Sequence, residues 1–478
     1  MVPLSYEHVP YPGKAEPLTH PAVMARLARA RGYAAADVRT ARVLELGCGD
    51  AANLGALAFR LPEASFVGVD RSAAAVGRGR EMREALALTQ MSLQQADLSE
   101  YEPEAAAYDY VIAHGLLSWV PAAVRKRVFT IVGAALAPSG LFHVSYNAPP
   151  AWGVRGAIRS AMVRAARGGV DAVEKVRRAR AAVELLTRAQ GPLAPNEHYG
   201  HLLHRELTLI RDAPDHAVLH DFLAPHHHAI SIAQLAAEAA NEGLRIVGEL
   251  RAIGADPRAW TQRFEELTQT TGDAIFAELA SDVLDRRAFR VTLLARADAP
   301  RTAPQSALEA LGSGSLSTRL SRQPGLPDSV FAAHDGRFVK IDDAAAVAAV
   351  TALAHRWPRG VALPALAEEM SIDAEELSSR LASLWAAGQL DVGWGLAERS
   401  APAPEDARPE ICELNRFEAR ARGHLTNLMH EPVPIADAAR GLVSALDGTL
   451  LESELVKRHG ASVADVLTSL TREGMRVD

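Results

Sequence analysis

Two glycines flanked by carboxylates stand in the run Val43-Leu44-Glu45-Leu46-Gly47-Cys48-Gly49-Asp50. An apolar stretch that ends this way is a strand turning sharply into a helix. Glycine serves such a turn because the backbone needs left-handed angles and because a ligand approaches with no room for a Cβ. The helix that follows offers free N–H groups and the positive end of its dipole, which suits a ligand carboxylate. Asp70 closes the next apolar run, Val67-Gly68-Val69-Asp70, about twenty residues downstream. A carboxylate there can accept from both hydroxyls of a ribose. Asp97, in Gln95-Ala96-Asp97-Leu98 after a third run, is placed to accept from an adenine amino group. Its alternative is a turn or helix-cap role. An enzyme using a nicotinamide dinucleotide shares the first two features and not the third.

Three features at three successive strand ends point to S-adenosyl-L-methionine as cofactor. The residues expected to hold it are Glu45, Gly47, Cys48, Gly49 and Asn53 from the first turn and Asp70 and Arg71 from the second. Ala96, Asp97 and Leu98 follow from the third, and His114 from the fourth. Ala51, followed by Ala52, stands where a third glycine is usual; a methyl group fits many such turns, the alternative being a narrower space for the methionine end.

Methyl transfer from a sulfonium is an in-line displacement, and the protein must chiefly hold a neutral nucleophile at attack distance. A nearby His, Tyr or carboxylate can take the proton from an amine. His114, Tyr146 and Asn147 are the candidate catalytic residues, at the ends of the fourth and fifth strands. Ser118, Trp119, Tyr146 and Trp152 cluster with them as the candidate substrate side. An aromatic channel suits an aliphatic side chain ending in a cation, and simple packing is the alternative for both tryptophans. Tyr6 and Tyr11 in the Pro-rich start are candidates for a lid over the cofactor. The histidines from His198 to His228 lack matching cysteines and an H-E-x-x-H helix. No metal is therefore expected, and a surface or lid role is preferred.

The elements that must position these residues alternate. Strands are expected at Arg42–Leu46, Ser65–Val69, Ser92–Gln95, Tyr110–Ala113 and Leu141–Tyr146, the last preceded by a Pro138-Ser139-Gly140 turn, with helices between. That order implies an α/β fold with a parallel, Rossmann-like sheet. Residues 150–225 are Arg- and Ala-rich with helical periodicity, and strand-like runs return at Leu244–Leu250 and Phe289–Ala295. The cofactor domain is therefore expected to span 1–297, with a helical insertion at 150–225. An independent helical domain at 150–297 is the other possibility. Residues 298–328, rich in Pro, Ser, Gly and Ala, form an expected linker. Two α+β winged-helix-like modules are expected at 329–400 and 405–478. Their candidate third helices carry little positive charge, which favours packing or protein contact over DNA reading.

The whole composition fits that organisation. At 478 residues the chain exceeds one core. A net charge of -7 argues against a general nucleic-acid binder. Two cysteines, Cys48 and Cys412, make no disulfide framework. With no signal-peptide pattern and no apolar run of spanning length, a cytoplasmic protein is expected.

Glu45-Leu46-Gly47-Cys48-Gly49-Asp50, Ala113 to Pro121, and Ser145-Tyr146-Asn147 together resemble class I methyltransferases that carry a methyltransferase regulatory domain. That group includes rickettsial protein-lysine methyltransferases. The resemblance covers the opening Tyr6…Pro12, the region 196–297 as regulatory domain, and the last 150 residues, with Leu446-Asp447-Gly448-Thr449, as winged helix. The family commonly has tyrosine at Leu117 and glycine at Ala151. The resemblance implies methyl transfer to a protein or peptide acceptor, a lysine amine among the choices, and is compatible with a homodimer. Methylation of a small metabolite and a cofactor-binding scaffold without catalysis are the alternatives.

Overall fold

The computed structural model describes residues 11–250, 257–305, 315–323, 325–333, 336–386, 389–393, 408–460 and 462–475. Its central sheet has seven strands: β1 (Arg42–Leu46), β2 (Ser65–Asp70), β3 (Met91–Gln95), β4 (Tyr108–Ala113), β5 (Leu136–Asn147), β6 (Leu244–Glu249) and β7 (Phe289–Arg296). Their order is β3-β2-β1-β4-β5-β7-β6. The first five run parallel, and β7 lies antiparallel between β5 and β6. The strand order reverses between β1 and β4, and a crevice for ligands opens at the carboxyl ends there.

Alternation along each strand divides the core. Val43, Phe66, Tyr110 and Leu141 face one layer with Met24, Leu54 and Met82. Leu44, Val111, Phe142 and Val144 face the other, with Val128, Phe129 and Leu235. Helices α1 (Pro21–Ala30), α2 (Ala52–Arg60) and α3 (Ala73–Ala85) supply the first layer. Helix α4 (Ala122–Ala135) and the helix Ile232–Ala240 supply the second.

The expected turn at Pro138–Gly140 is absorbed into β5, which begins at Leu136. Tyr108 pairs with Leu136 and Tyr110 with Leu141, so five steps on β5 match two on β4. The extra residues are accommodated as an irregularity within the ladder, not as a turn before it.

After β5 the chain forms α5 (Pro149–Ala166), α6 (Ala172–Gln190) and α7 (His198–Asp212), then a π-helical turn at Val218–Phe222. Ile158, Met162, Val176, Val183, Leu207 and Phe222 give these helices their own core, which includes Trp152. Beyond the sheet, Ser315–Ser317, inside the stretch expected to be linker, pairs with Val361–Ala362 and Asp391–Gly393. Helices Ala344–Arg356, Leu363–Met370 and Ala374–Ala386 pack on this small sheet. A last module combines Glu413–Ala421, the paired strands His424–Thr426 and Pro432–Pro434, and helices Asp437–Ser444, Glu452–His459 and Val463–Arg472. Arg319 reaches both carboxylate oxygens of Glu431 at 2.7 Å, tying the two modules together.

Candidate active site

The turn from β1 to α2 is fixed by its neighbour strand. Gly47 and Gly49 adopt φ of +73° and +56°, which glycine enters without a Cβ penalty. The N–H groups of Gly47 and Cys48 both donate to the Val69 carbonyl, at 2.8 and 3.1 Å. Asp70 accepts from Gly49 N at 2.9 Å on one oxygen and from Ser72 N at 2.8 Å on the other. Each oxygen therefore keeps acceptor capacity, since an ionised carboxylate offers about four lone-pair sites. A Cβ added at Gly49, or at Gly115 after β4, meets no atom within 4 Å. Open space thus flanks both loops at the switch point, as a bound nucleoside requires.

Two details bear on the expectations for this turn. The start of α2 is met by the protein's own Asp50, whose Oδ1 accepts from Ala52 N at 3.3 Å. Ala51 is buried with φ +56°, and its methyl faces α3, 3.2 Å from where a Cβ on Gly79 would lie. The methyl therefore packs into the core and leaves the ligand side alone.

Glu45 and Asn53 lie behind the loop. Glu45 Oε1 accepts from Asn53 Nδ2 at 3.0 Å, and burial pushes its carboxyl up to about 8, the Asn53 bond opposing. Asn53 Oδ1 accepts from Glu16 N at 3.1 Å and lies 2.8 Å from His430 Nε2. Asp50 Oδ2 accepts from Arg422 Nη1 at 2.7 Å. Asn53 is thus a buried support of the loop. Cys48 is buried too, and its thiol is pushed up mainly by burial.

Asp97 takes both the N–H and the hydroxyl of Ser99 on Oδ1, at 2.9 and 2.7 Å, which is the turn role. The Ser99 N–H bond is the main cause holding its carboxyl below the ordinary value. Oδ2 takes neither of those bonds. Arg71 is exposed, Ala96 half-buried with its N–H on the Asp70 carbonyl, and Leu98 buried in the core.

His114 stands at the rim after β4. Its Nε2 lies 3.8 Å from Glu16 Oε2, and its ring lies 5.5 Å from His143 and 5.9 Å from Phe289. His143 is fully buried and kept neutral by burial, well below its ordinary value. Ser145 Oγ accepts from Gly115 N at 2.7 Å, fixing the turn that carries His114.

Ser118, Asn147, Trp119 and Trp152 do come together. Ser118 Oγ accepts from Asn147 N at 2.9 Å, while His227 lies 3.2 Å from Asn147 Nδ2. The His227 ring sits 4.1 Å from Trp152 and 5.2 Å from Trp119. Burial lowers His227 to about 4. Trp152 belongs to the insertion core, and its ring already carries Arg155 at 5.8 Å. Tyr146 is not brought to this rim. It is buried on the opposite face of β5, with its hydroxyl 3.1 Å from Thr292 Oγ1. Tyr11 lies between His216 and His220, both rings at 5.6 Å, on the insertion. Tyr6 lies outside the described residues.

Sequence reading missed Glu16, His143, Arg422 and His430. Nothing local marks them, and Asn53 and His430 stand 377 positions apart. His227 was visible only as part of a histidine-rich run.

Comparisons with known proteins agree with this architecture. Residues 43–140 match the model described as "Methyltransferase domain", 214–296 "Predicted methyltransferase regulatory domain" and 407–478 "PKMT, C-terminal winged helix domain". The chain thus carries a methyltransferase domain on a Rossmann-like sheet. Segments matching the regulatory and PKMT winged-helix models follow it in the same chain. PKMT2 from Rickettsia typhi, solved in complex with AdoHcy, superposes with a TM-score of 0.77 at 20% identity, covering 95% of this chain and 92% of that one. An uncharacterised protein of Rickettsia prowazekii is 27% identical over 297 residues, 61% of this chain but 53% of its own length, so the match spans about half of that relative. Trans-aconitate 2-methyltransferase of Variovorax paradoxus is 35% identical over 104 residues, 22% of this chain and 38% of that enzyme.

Proposed function

We propose that this chain transfers a methyl group from S-adenosylmethionine to an amine of a protein or peptide, with a lysine side chain as acceptor. The observation that carries the reading is the Asp70 carboxylate. It is locked by Gly49 N and Ser72 N beside open space at the strand-order reversal, in a chain whose whole domain set parallels that of PKMT2. Asp70 would hold the ribose hydroxyls, and Gly49 and Gly115 leave room for the cofactor. Bound there, S-adenosylmethionine supplies an electrophilic methyl on a sulfonium. No helix among the described residues is long and apolar enough to cross a membrane. Cys48 and Cys412 form no disulfide, which suits a reducing cytoplasm.

A lysine amine must lose its proton before it can attack. His114 is the group at the rim to receive it, and the Glu16 carboxylate nearby favours the resulting imidazolium. The insertion and both modules add more surface than a small acceptor needs. The likeness to trans-aconitate 2-methyltransferase favours a second reading, a small-molecule acceptor. Incubation of the full chain with labelled cofactor and cell lysate separates the two. Label on protein, lost in Asp70→Ala, is expected. Label on small molecules alone selects the second reading, and label on neither, despite cofactor binding, sinks both.

A further inference from the structure

The C-terminal winged-helix domain does more than flank the sheet: it inserts two side chains behind the cofactor loop. Arg422 follows the helix Glu413–Ala421, and His430 sits at the tip joining strands His424–Thr426 and Pro432–Pro434. Both side chains are largely buried. His430 adopts φ +59°, a left-handed angle that few residue types other than glycine enter readily, though histidine is one of them. That backbone places its ring against Asn53.

Hydrogen-bond accounting fixes the roles. Asn53 Nδ2 donates to Glu45 Oε1, so Oδ1 is the acceptor. The Glu16 N–H takes one of its two lone pairs. The Thr19 hydroxyl lies 2.9 Å from Asn53 Oδ1 and 2.7 Å from the Glu16 carbonyl; its one proton goes to the nearer carbonyl, and His430 Nε2–H donates to Asn53 Oδ1 at 2.8 Å. The ring is therefore a neutral donor with its proton on Nε2. Arg422 Nη1 bridges Asp50 Oδ2 at 2.7 Å and the Gly13 carbonyl at 3.2 Å. Gly13 packs so tightly on Asp50 that a Cβ there would lie 1.9 Å from Oδ1. One guanidinium thus joins the last domain, the N-terminal segment and the residue that follows Gly49.

We propose that the C-terminal domain completes the cofactor site, with Arg422 and His430 as positioning residues that hold the 47–53 loop in its binding shape through Asp50 and Asn53. The inference rests on the reading that this loop binds S-adenosylmethionine. Without Arg422, Asp50 is a largely buried carboxylate that has lost its ion pair, and the loop must move to hydrate it. Gly49, whose N–H anchors Asp70, moves with it.

The test is titration of AdoHcy into the full chain by calorimetry, with melting temperature read in parallel. Arg422→Ala and Asp50→Ala are each expected to raise the Kd about tenfold, within the 5–150-fold span of ordinary coupling between sites. The double variant is expected to be no worse than the weaker single, because both remove one interaction. His430→Ala is expected to raise the Kd several-fold, and His430→Gln, which keeps a donor, to recover part of it. If Arg422→Ala does not fold, Arg422→Lys, which retains the charge but not the bridging fork, carries the same comparison. Lower melting temperatures with unchanged Kd in the Arg422 and His430 variants overturn the proposal and leave the domain as packing. Additive losses in the double variant overturn it too. A wild-type chain that binds no AdoHcy overturns the cofactor reading itself, a result told apart because every variant is then equally silent.

Discussion

The proposed cofactor loop and the proposed acceptor rim both follow carboxyl ends of strands in the central sheet but are built from different materials. The loop is set by main-chain N–H groups donating across consecutive strand ends: Gly47 and Cys48 to the Val69 carbonyl, Gly49 to the Asp70 carboxylate, Ala96 to the Asp70 carbonyl. The rim is set by side chains that arrive from an insertion, with His227 wedged among Trp119, Trp152 and Asn147. A site made from backbone needs glycine and carboxylate at fixed offsets, and can be read locally. A site made from side-chain packing needs only partners of the right shape, and these can come from anywhere in the chain.

That contrast is strongest if the two regions can be damaged independently. Trp152 is nearly fully buried in the insertion core, against Phe222 at 5.8 Å. Trp152→Ala should cost about 3–5 kcal/mol of stability through the cavity it leaves. The AdoHcy Kd should stay within about twofold wherever the variant remains folded, as calorimetry can check. A large rise in Kd would mean that the rim and loop are one unit. The converse variant, Asp70→Ala, removes the proposed acceptor for two ribose hydroxyls. Hydrogen bonds to a charged group contribute about 1.5–3 kcal/mol each, so binding should fall by at least about a hundredfold. Stability should fall less than in Trp152→Ala, and a retained Kd would overturn Asp70 as the ribose ligand.

Acid and base probe the support behind the loop. Glu45 is raised to about 8 from an ordinary 4.5, so the folded state holds its proton more tightly than the unfolded chain. Its contribution is fully present below about pH 4.5 and lost as pH rises through 8. His430 is depressed to about 3 by burial, so its contribution has the opposite sign, present above 6.5 and lost as pH falls toward 3. In melting curves of ligand-free protein, Glu45→Gln should gain on the wild type steadily between pH 5 and 8. A difference that does not change with pH would mean that Glu45 is ionised in the fold.

What was legible follows the same division. The succession of strands was readable because RVLEL, SFVGV and YVIA are apolar runs between helical stretches, and the covered sheet demands such runs. The extra residues in β5 were not, because Pro138-Ser139-Gly140 reads as a turn and only the pairing with β4 shows that the ladder absorbs it. The place of Asp70 at the end of β2 was legible by its offset from Gly49. Tyr146 does not join the rim because adjacent residues on a strand face opposite sides: Ser145 reaches Gly115 while Tyr146 turns to Thr292. Arg422 and His430 were beyond reach because no local pattern specifies a contact between domains.

The smallest effect tests whether the loop is really autonomous of its surroundings. Ala51 occupies a left-handed angle, which costs a non-glycine residue about 1–2 kcal/mol. Ala51→Gly releases that strain but gives up about 0.8 kcal/mol of buried methyl. It also adds about 0.5–1 kcal/mol of unfolded-chain freedom. The net change should lie within about 0.8 kcal/mol of zero by these terms. Gly79→Ala should cost about 1–3 kcal/mol, because its Cβ would lie 2.7 Å from Leu93 Cδ1 and 3.2 Å from both the Ala51 methyl and the Asp50 carbonyl. In the double variant the Ala51 clash is gone while those with Leu93 and Asp50 persist, so the second substitution should cost less than it does alone. Denaturation midpoints of the four proteins measure this coupling. Strict additivity would show that α3 gives way without transmitting the strain to the loop. A measurable interaction would show that the turn's third position has traded its glycine for one on the facing helix.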